Sequence, residues 1–146
     1  MTISRAARFA SVYAVLTASH EFADHWIQAD SDAVTKGSEG RTGRVACARH
    51  VATYTATQAV ALVVADRAFG LGVRPARAVA ALGFSALTHY YADRSAGRWG
   101  DPKPWSLAAV AHARGKGRWL RADPRAGYDL DQAWHKAAIT LASAIC

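Results

Sequence analysis

The chain has 146 residues and a formal net charge of +7, because 18 lysines and arginines outnumber 11 aspartates and glutamates. Hydrophobic residues make up 51% of the composition and charged residues 20%, which excludes a disordered charged tail and indicates one globular domain over residues 1–146. The two cysteines, Cys47 and Cys146, are too few for a disulfide framework or a four-thiolate zinc site. We therefore expect a cytoplasmic protein.

Apolar runs raise the question of membrane insertion. The longest uncharged run, residues 51–65, contains three threonines and a glutamine, and it is shorter than the ~20 mostly apolar residues of a spanning helix. The N-terminal stretch has the outline of a secretory signal, but its helical pattern continues through His20 and Asp24, past any cleavage point. We expect no spanning segment, and peripheral membrane association stays open.

Apolar residues follow a helical spacing along the whole chain, and no convincing strand alternation is present, so the predicted class is all-α. Four long helices are predicted, over residues 4–29, 44–66, 75–93 and 129–146. The acidic cluster at 30–32 is expected to end the first helix, and a glycine-rich loop follows it. Gly70 and Gly72 are expected to close the second helix. Pro75 suits a first helical turn, and Asp129 with Gln132 three positions later has the spacing of a capping box.

A segment rich in glycine and proline, residues 94–127, separates the third and fourth predicted helices, and we call it the basic excursion. Its composition leaves room for one short helix, over residues 105–114. Eight basic residues against Asp101 and Asp123 give this segment +6 of the net charge of +7. The expected architecture is a four-helix bundle-like core with this long basic loop.

Three of the four predicted long helices carry a histidine and an aspartate four residues apart. The pairs are His20 with Asp24, His89 with Asp93, and Asp131 with His135. Residues at this spacing lie on one helical face, and each pair continues the apolar stripe of its helix, so each carboxylate is predicted to face the core. A buried carboxylate is costly unless it is paired or bound to a cation. His50, at the start of the second helix, is a candidate fourth contributor.

These side chains supply seven nitrogen and oxygen donors and no thiolate. The predicted metal ligands are His20, Asp24, His50, His89, Asp93, Asp131 and His135. Such a set suits zinc, manganese or iron, and it exceeds the needs of one tetrahedral zinc ion. Two ions that share a carboxylate would use all seven and keep positions for water. The alternative is a set of buried hydrogen bonds that tie the helices together.

The order of these residues resembles the domain of unknown function 3307 family, which is bacterial and phage-borne. The shared pattern is His-x3-Asp-x3-Gln at 20–28, a lone histidine at 50, His-x3-Asp at 89–93 and Asp-Gln-x2-His at 131–135. The resemblance covers residues 20–135 and implies that Gln28, Lys36 and Gln132 belong to the site beside the seven predicted ligands. It supplies little about activity, and many relatives look like multi-pass membrane proteins.

The favoured hypothesis is a metal-dependent, binuclear hydrolase of an anionic substrate such as a phosphoester. The ions would lower the pKa of a bridging water and polarise the scissile centre. Gln28 and Gln132 would orient the water or the ligands, and Lys36 with one or two arginines of the basic excursion would neutralise substrate charge.

Three other hypotheses stay open at the level of the sequence. The basic excursion could bind nucleic acid or an acidic membrane, with Trp99, Trp105 and Trp119 stacking on bases or packing the loop onto the bundle. The same ligands could serve an oxidative di-iron enzyme or a metal-stabilised interaction subunit. His25 and His112 fall outside the pattern, and we expect both on the surface. The sequence does not specify the oligomeric state.

Overall fold

The computed structural model describes residues 3–146, and this range contains α-helices and no β-strand, which confirms the all-α prediction. The helices in this range are α1 (Arg5–Phe22), α2 (Asp30–Thr35), α3 (Gly40–Phe69), α4 (Pro75–Asp93), α5 (Leu107–Ala113), α6 (Gly117–Ala122) and α7 (Ala126–Ile145). A π-helical turn, Ala23–Ile27, follows α1 directly. None of the helices between residues 3 and 146 combines the length and the hydrophobicity that crossing a membrane requires.

The first predicted helix is shorter than its periodicity indicates. It begins as expected, because the Ser4 side chain accepts a hydrogen bond from Ala7 N at 3.1 Å. Beyond the π-helical turn, however, the backbone is extended at Gln28 and Ala29. The acidic cluster at 30–32 begins α2 instead of ending a helix, since acidic residues in a first turn compensate the positive end of the helix dipole.

The bounds of the next two helices depend on glycine and proline. Helix α3 begins at Gly40, about one turn earlier than predicted, so His50 lies well inside the helix and not at its start. It ends before Gly70, whose φ of 61° and hydrogen bond to Asp66 O form the expected C-terminal cap. Helix α4 runs over Pro75–Asp93, as predicted.

The basic excursion contains two short helices where one was predicted. Ser106 caps α5 by accepting a hydrogen bond from Ala109 N at 3.1 Å, and α6 is an additional element. Helix α7 begins at Ala126, so Asp129 lies in its first turn and the predicted capping box is wrong. Instead, Asp123 accepts a hydrogen bond from Arg125 N at 2.8 Å just before the helix.

The described chain forms two compact units with different interiors. The first unit comprises the residues up to Gln28, Ala52–Leu87 and Lys136–Cys146, and the second comprises Ala29–Val51 and Thr88–His135. The first unit has an aliphatic core: Val12, Leu16, Leu62, Ala65, Leu71, Ala81, Ile139, Ala142 and Cys146. The buried apolar residues of the second unit are mostly alanines, and its buried polar residues are His50, His89, Ser95, Asp93, Asp32, Gln132 and His135. The second unit therefore has a polar interior.

Candidate metal centre

Asp93, the last residue of α4, is 1% exposed and lies next to two buried imidazoles. Its Oδ2 atom is 3.2 Å from His50 Nε2 and 3.3 Å from His89 Nε2. The two Nε2 atoms are themselves 2.9 Å apart. We call His50, His89 and Asp93 the first donor triad.

The other carboxylate oxygen of Asp93 belongs to a second group. Asp93 Oδ1 is 3.8 Å from His135 Nε2, and that nitrogen is 3.1 Å from Asp131 Oδ2. Asp93, Asp131 and His135 form the second donor triad. In each triad the donor atoms all lie within 4.8 Å of one another, so each group could hold a metal ion.

Helical spacing explains how the sequence builds these triads. Helix α4 places His89 and Asp93 one turn apart, and α7 does the same for Asp131 and His135. Helix α3 adds His50 from a third element. The structure therefore brings together five of the seven predicted ligands within the second unit.

Lys36 lies at the C-terminal end of α2 and contacts the first donor triad. Its Nζ atom is 3.1 Å from Asp93 Oδ2, and its side chain is 13% exposed. The Arg94 guanidinium donates hydrogen bonds to the carbonyl oxygens of Lys36 and Ser38, which fixes the turn that carries the lysine. The resemblance picked out Lys36, but its contact with Asp93 was not foreseen.

The charges of Asp93 and His135 in the two donor triads are determined by burial and by the groups next to them. Burial alone would raise the pKa of Asp93, but the neighbouring imidazoles of His135, His50 and His89 hold that pKa well below its ordinary value. Burial alone would lower the pKa of His135, whereas the neighbouring carboxylates of Asp131 and Asp93 raise it to about 9. Asp93 is therefore an ionised carboxylate, and a metal ion at His135 must displace a proton.

Gln132 lies beside Asp131 on α7 and is 9% exposed. Its buried Oε1 atom has no hydrogen-bond partner within residues 3–146. An unsatisfied buried oxygen costs about 1–3 kcal/mol, so this atom calls for a water or ligand donor. The role of Gln132 in the site stays a prediction.

The remaining predicted site residues lie in the first unit. His20 is wholly buried, with Nδ1 3.5 Å from Asp24 Oδ2 and its ring edge-on to Tyr54. Asp24 is carried by the π-helical turn, and Gln28 ends that turn with a buried Nε2 atom. Their place in the same metal centre as the two donor triads stays a prediction.

Sequence reasoning missed a buried polar network in the first unit. Tyr54 Oη is 2.7 Å from Ser85 Oγ, which donates to Gln58 Oε1 at 3.0 Å. Gln58 Nε2 in turn donates to Leu16 O at 3.2 Å. The signal was in the sequence, because Tyr54 and Gln58 follow His50 at intervals of four, and Ser85 precedes His89 by four. Polar stripes therefore extend beyond the predicted His and Asp pairs.

Two histidines outside the pattern differ in their surroundings. His25 is exposed, as expected, and contacts Glu21. The surface prediction is wrong for His112, which is half-buried and donates from Nε2 to Trp99 O at 2.8 Å. A Cβ on Gly127 would overlap the Trp99 ring, so glycine at this position lets the tryptophan pack against α7. His112 and Trp99 thus hold the basic excursion in place.

A cavity of about 290 Å³ adjoins the C-terminal end of α4. Its lining includes Arg94, Arg98, Lys103 and Trp105, the last of which is 91% exposed. Arg98 and Lys103 both pair with Glu39, and their hydrogen bonds, with Lys103 contributing most, lower the pKa of Glu39 to about 2. The cavity therefore combines cationic and aromatic groups.

No known family model matches the sequence, and neither a curated protein nor a solved structure matches it. The resemblance to the domain of unknown function 3307 family stays a prediction that depends on the motif residues. The assignment of the site depends on the geometry of the two donor triads.

Proposed function

We propose that this protein is a metal-dependent hydrolase that acts on an anionic substrate such as a phosphoester, through a binuclear centre. The observation that carries the proposal is the membership of Asp93 in both donor triads. Its Oδ2 atom faces His50 and His89, and its Oδ1 atom faces His135. A carboxylate that offers one oxygen to each of two adjacent sites can bridge two metal ions.

The donor separations fit zinc, manganese or iron. A tetrahedral ion with bonds of about 2.0–2.2 Å holds its ligand atoms roughly 3.3–3.6 Å apart. The separations in the first donor triad are 2.9, 3.2 and 3.3 Å, so little movement is needed to accommodate an ion. The second donor triad is wider, with 3.8 Å between Asp93 and His135, and it offers two carboxylates, which suits manganese or iron as well as zinc.

Divalent cations at these positions would supply Lewis-acid activation of a water molecule and of the scissile centre. The side chains of Asp131 and Lys36, at 19% and 13% exposure, are more accessible than those of His50, His89 and Asp93, so the substrate approaches from their side. With a cation held by Asp93, the Lys36 ammonium would no longer be needed to compensate that carboxylate and would be available to neutralise the substrate. Gln132 Oε1 would accept a hydrogen bond from the attacking water.

The cavity beside α4 supports an anionic substrate. Arg94, Arg98 and Lys103 line it, and the exposed indole of Trp105 offers a surface for an aromatic ring. The same indole favours a second candidate function, the binding of nucleic acid by the basic excursion. Trp105→Ala would then weaken binding to single-stranded DNA, with an affinity that falls steeply as salt rises.

Metal analysis of the purified protein tests the hydrolase proposal. We expect two equivalents of zinc, manganese or iron per chain, and the loss of at least one in His89→Ala and in Asp131→Ala. His25→Ala is the matched control, because His25 is exposed and lies outside both donor triads. Folded protein that takes up no more metal than buffer would overturn the proposal.

Activity on a panel of phosphomonoesters and phosphodiesters separates catalysis from a structural role. We expect turnover by the metal-loaded protein and its loss in Asp93→Asn. Full metal content without turnover would indicate a metal-stabilised interaction subunit. Oxygen consumption with iron alone would indicate an oxidative di-iron enzyme that uses the same ligands.

A further inference from the structure

Four arginines line one cavity in the first unit. Arg5 and Arg8 lie on α1, Arg77 lies on α4, and Arg74 immediately precedes α4. The cavity has a volume of about 500 Å³, and Ser143 also lines it. No member of either donor triad is among its lining residues. We call it the arginine cavity.

The side chains that line the arginine cavity are cationic, apolar or weakly polar. No acidic side chain from the described range lines it. Arg8 is half-buried, and its Nε donates to Leu71 O at 2.7 Å, so the orientation of this guanidinium is fixed before any ligand arrives. The cavity thus presents four guanidinium groups, of which that of Arg8 has a fixed orientation.

The positions of these arginines are unfavourable for the free protein. Arg5 and Arg8 are three residues apart, as are Arg74 and Arg77, and like charges at this spacing repel each other. Both pairs lie at the N-terminal ends of long helices, where the dipole disfavours cations, and neither helix has an acidic residue in its first turn. A bound anion would remove this repulsion.

We propose that the arginine cavity binds a compact polyanion with two or more linked phosphate groups. Guanidinium groups form paired hydrogen bonds with phosphate oxygens, and four of them can engage more than one phosphate. The volume of about 500 Å³ lies within the ~300–1,000 Å³ of small-molecule sites, which favours a compact ligand over an extended nucleic-acid backbone. A free polyphosphorylated molecule and a phosphoinositide headgroup share this chemistry.

Calorimetric titration of the full chain with tripolyphosphate at 0.15 M salt tests the proposal. We expect the double variant Arg5→Gln/Arg77→Gln to bind at least about tenfold more weakly than the native protein. The matched control is Arg44→Gln/Arg67→Gln, which removes the same charge from exposed residues of α3 outside the cavity, and it should retain the native affinity. Arg5→Lys/Arg77→Lys keeps the charge but loses the planar fork, so an intermediate affinity is expected.

The melting temperature, measured first without and then with tripolyphosphate, gives a second test. Because the glutamine variant relieves repulsion, we expect it to melt at or above the temperature of the native protein without anion. Tripolyphosphate should then raise the melting temperature of the native protein by more than it raises that of the glutamine variant. A lower melting temperature for the ligand-free glutamine variant would indicate that these arginines stabilise the fold, which contradicts the proposal.

Flotation with phosphatidylcholine vesicles that contain either phosphatidylinositol bisphosphate or phosphatidylserine at equal charge distinguishes the source of the phosphate. Binding to the phosphoinositide vesicles alone supports a lipid headgroup, and tripolyphosphate binding without flotation supports a free ligand. The proposal is overturned if neither probe binds at millimolar tripolyphosphate, or if the cavity and control variants lose binding equally.

Discussion

At the scale of single residues, the buried Asp93 carboxylate lies close to one ammonium group and three imidazoles. Lys36 Nζ lies 3.1 Å from Oδ2, and the imidazoles of both donor triads approach its two oxygens. Removing one partner from a buried charged cluster leaves the others uncompensated. We therefore expect Asp93→Asn to lower the free energy of unfolding of the ion-free protein by about 3 kcal/mol, as measured by urea denaturation.

The control for Asp93→Asn is Asp101→Asn, in an exposed part of the basic excursion. It should change the free energy of unfolding by less than about 0.5 kcal/mol. Equal changes in the free energy of unfolding for the two variants would contradict a role of Asp93 in compensating the buried groups around it.

Glu39 provides a pH-dependent test of the contact between the turn after α2 and the basic excursion. Hydrogen bonds from Lys103 and Arg98 lower its pKa from 4.5 to about 2. Because the folded-state pKa is depressed, these contacts stabilise the fold fully above pH 4.5, and the stabilisation is lost as pH falls through about 2. A carbon-13 NMR titration should show the low pKa, and Lys103→Ala should raise it.

Lys136→Ala is the matched control for Lys103→Ala, since it removes an exposed lysine from α7. The pKa of Glu39 should stay at about 2 in this variant. A Glu39 carboxyl that titrates near 4.5 in the native protein would contradict the described contacts.

At the scale of elements, local signals predicted some helix bounds and not others. Pro75 begins α4, and Gly70 caps α3, because each imposes a backbone conformation without help from distant residues. The break at residues 28–29 carries no such signal. The acidic cluster at 30–32 is compatible both with the segment that follows a helix and with the first turn of the next helix. The predicted end of the first helix therefore depended on periodicity alone, which placed that end too far along the chain.

In the candidate site, too, local spacing could be predicted from the sequence and long-range contacts could not. The pairs on α4 and α7 could be predicted, because a spacing of four places two side chains on one helical face. The contact between Lys36 and Asp93 joins residues far apart in sequence and depends on the packing of two turns. Likewise, the arginine cavity combines α1 with the start of α4, whereas counting charge along the chain drew attention to the basic excursion.

Gly37 determines how closely the turn after α2 approaches the turn after α4. A Cβ at this position would overlap the carbonyl oxygen of Ala96, which is backbone and cannot rotate away. We expect Gly37→Ala to displace Lys36 from Asp93, to lower the free energy of unfolding by about 2 kcal/mol and to strengthen metal binding, because the ammonium then no longer competes with the ion for Asp93. Urea denaturation and metal titration measure the two effects.

Gly83→Ala is the matched control for Gly37→Ala. Gly83 lies within α4, and a Cβ there has nothing within 4 Å apart from its own helix. Alanine favours a helix over glycine, so this variant should gain about 0.5–1 kcal/mol and bind metal normally. A lower free energy of unfolding in both variants would mean that the close approach of Gly37 to Ala96 does not explain the effect of Gly37→Ala.

At the scale of the whole molecule, the two units differ in what holds each interior together. The first unit has an aliphatic core that includes Leu16, Leu62, Leu71 and Ile139, and burial of each such side chain contributes about 1.5–3 kcal/mol. The second unit buries His50, His89, Asp93 and His135 among small apolar residues. Its stability should therefore depend more strongly on a bound cation.

Hydrogen exchange with and without metal tests this difference between the units. Zinc or manganese at about 100 times its dissociation constant should stabilise the binding-competent state by about 2.7 kcal/mol. We expect the gain in protection to be greatest in residues 29–51 and 88–135, which carry both donor triads. Magnesium is the control ion, because it prefers oxygen ligands and should protect neither unit. Equal protection of both units, or protection that persists in Asp93→Asn, would contradict a metal centre built on the second unit, since the ion would then be held elsewhere.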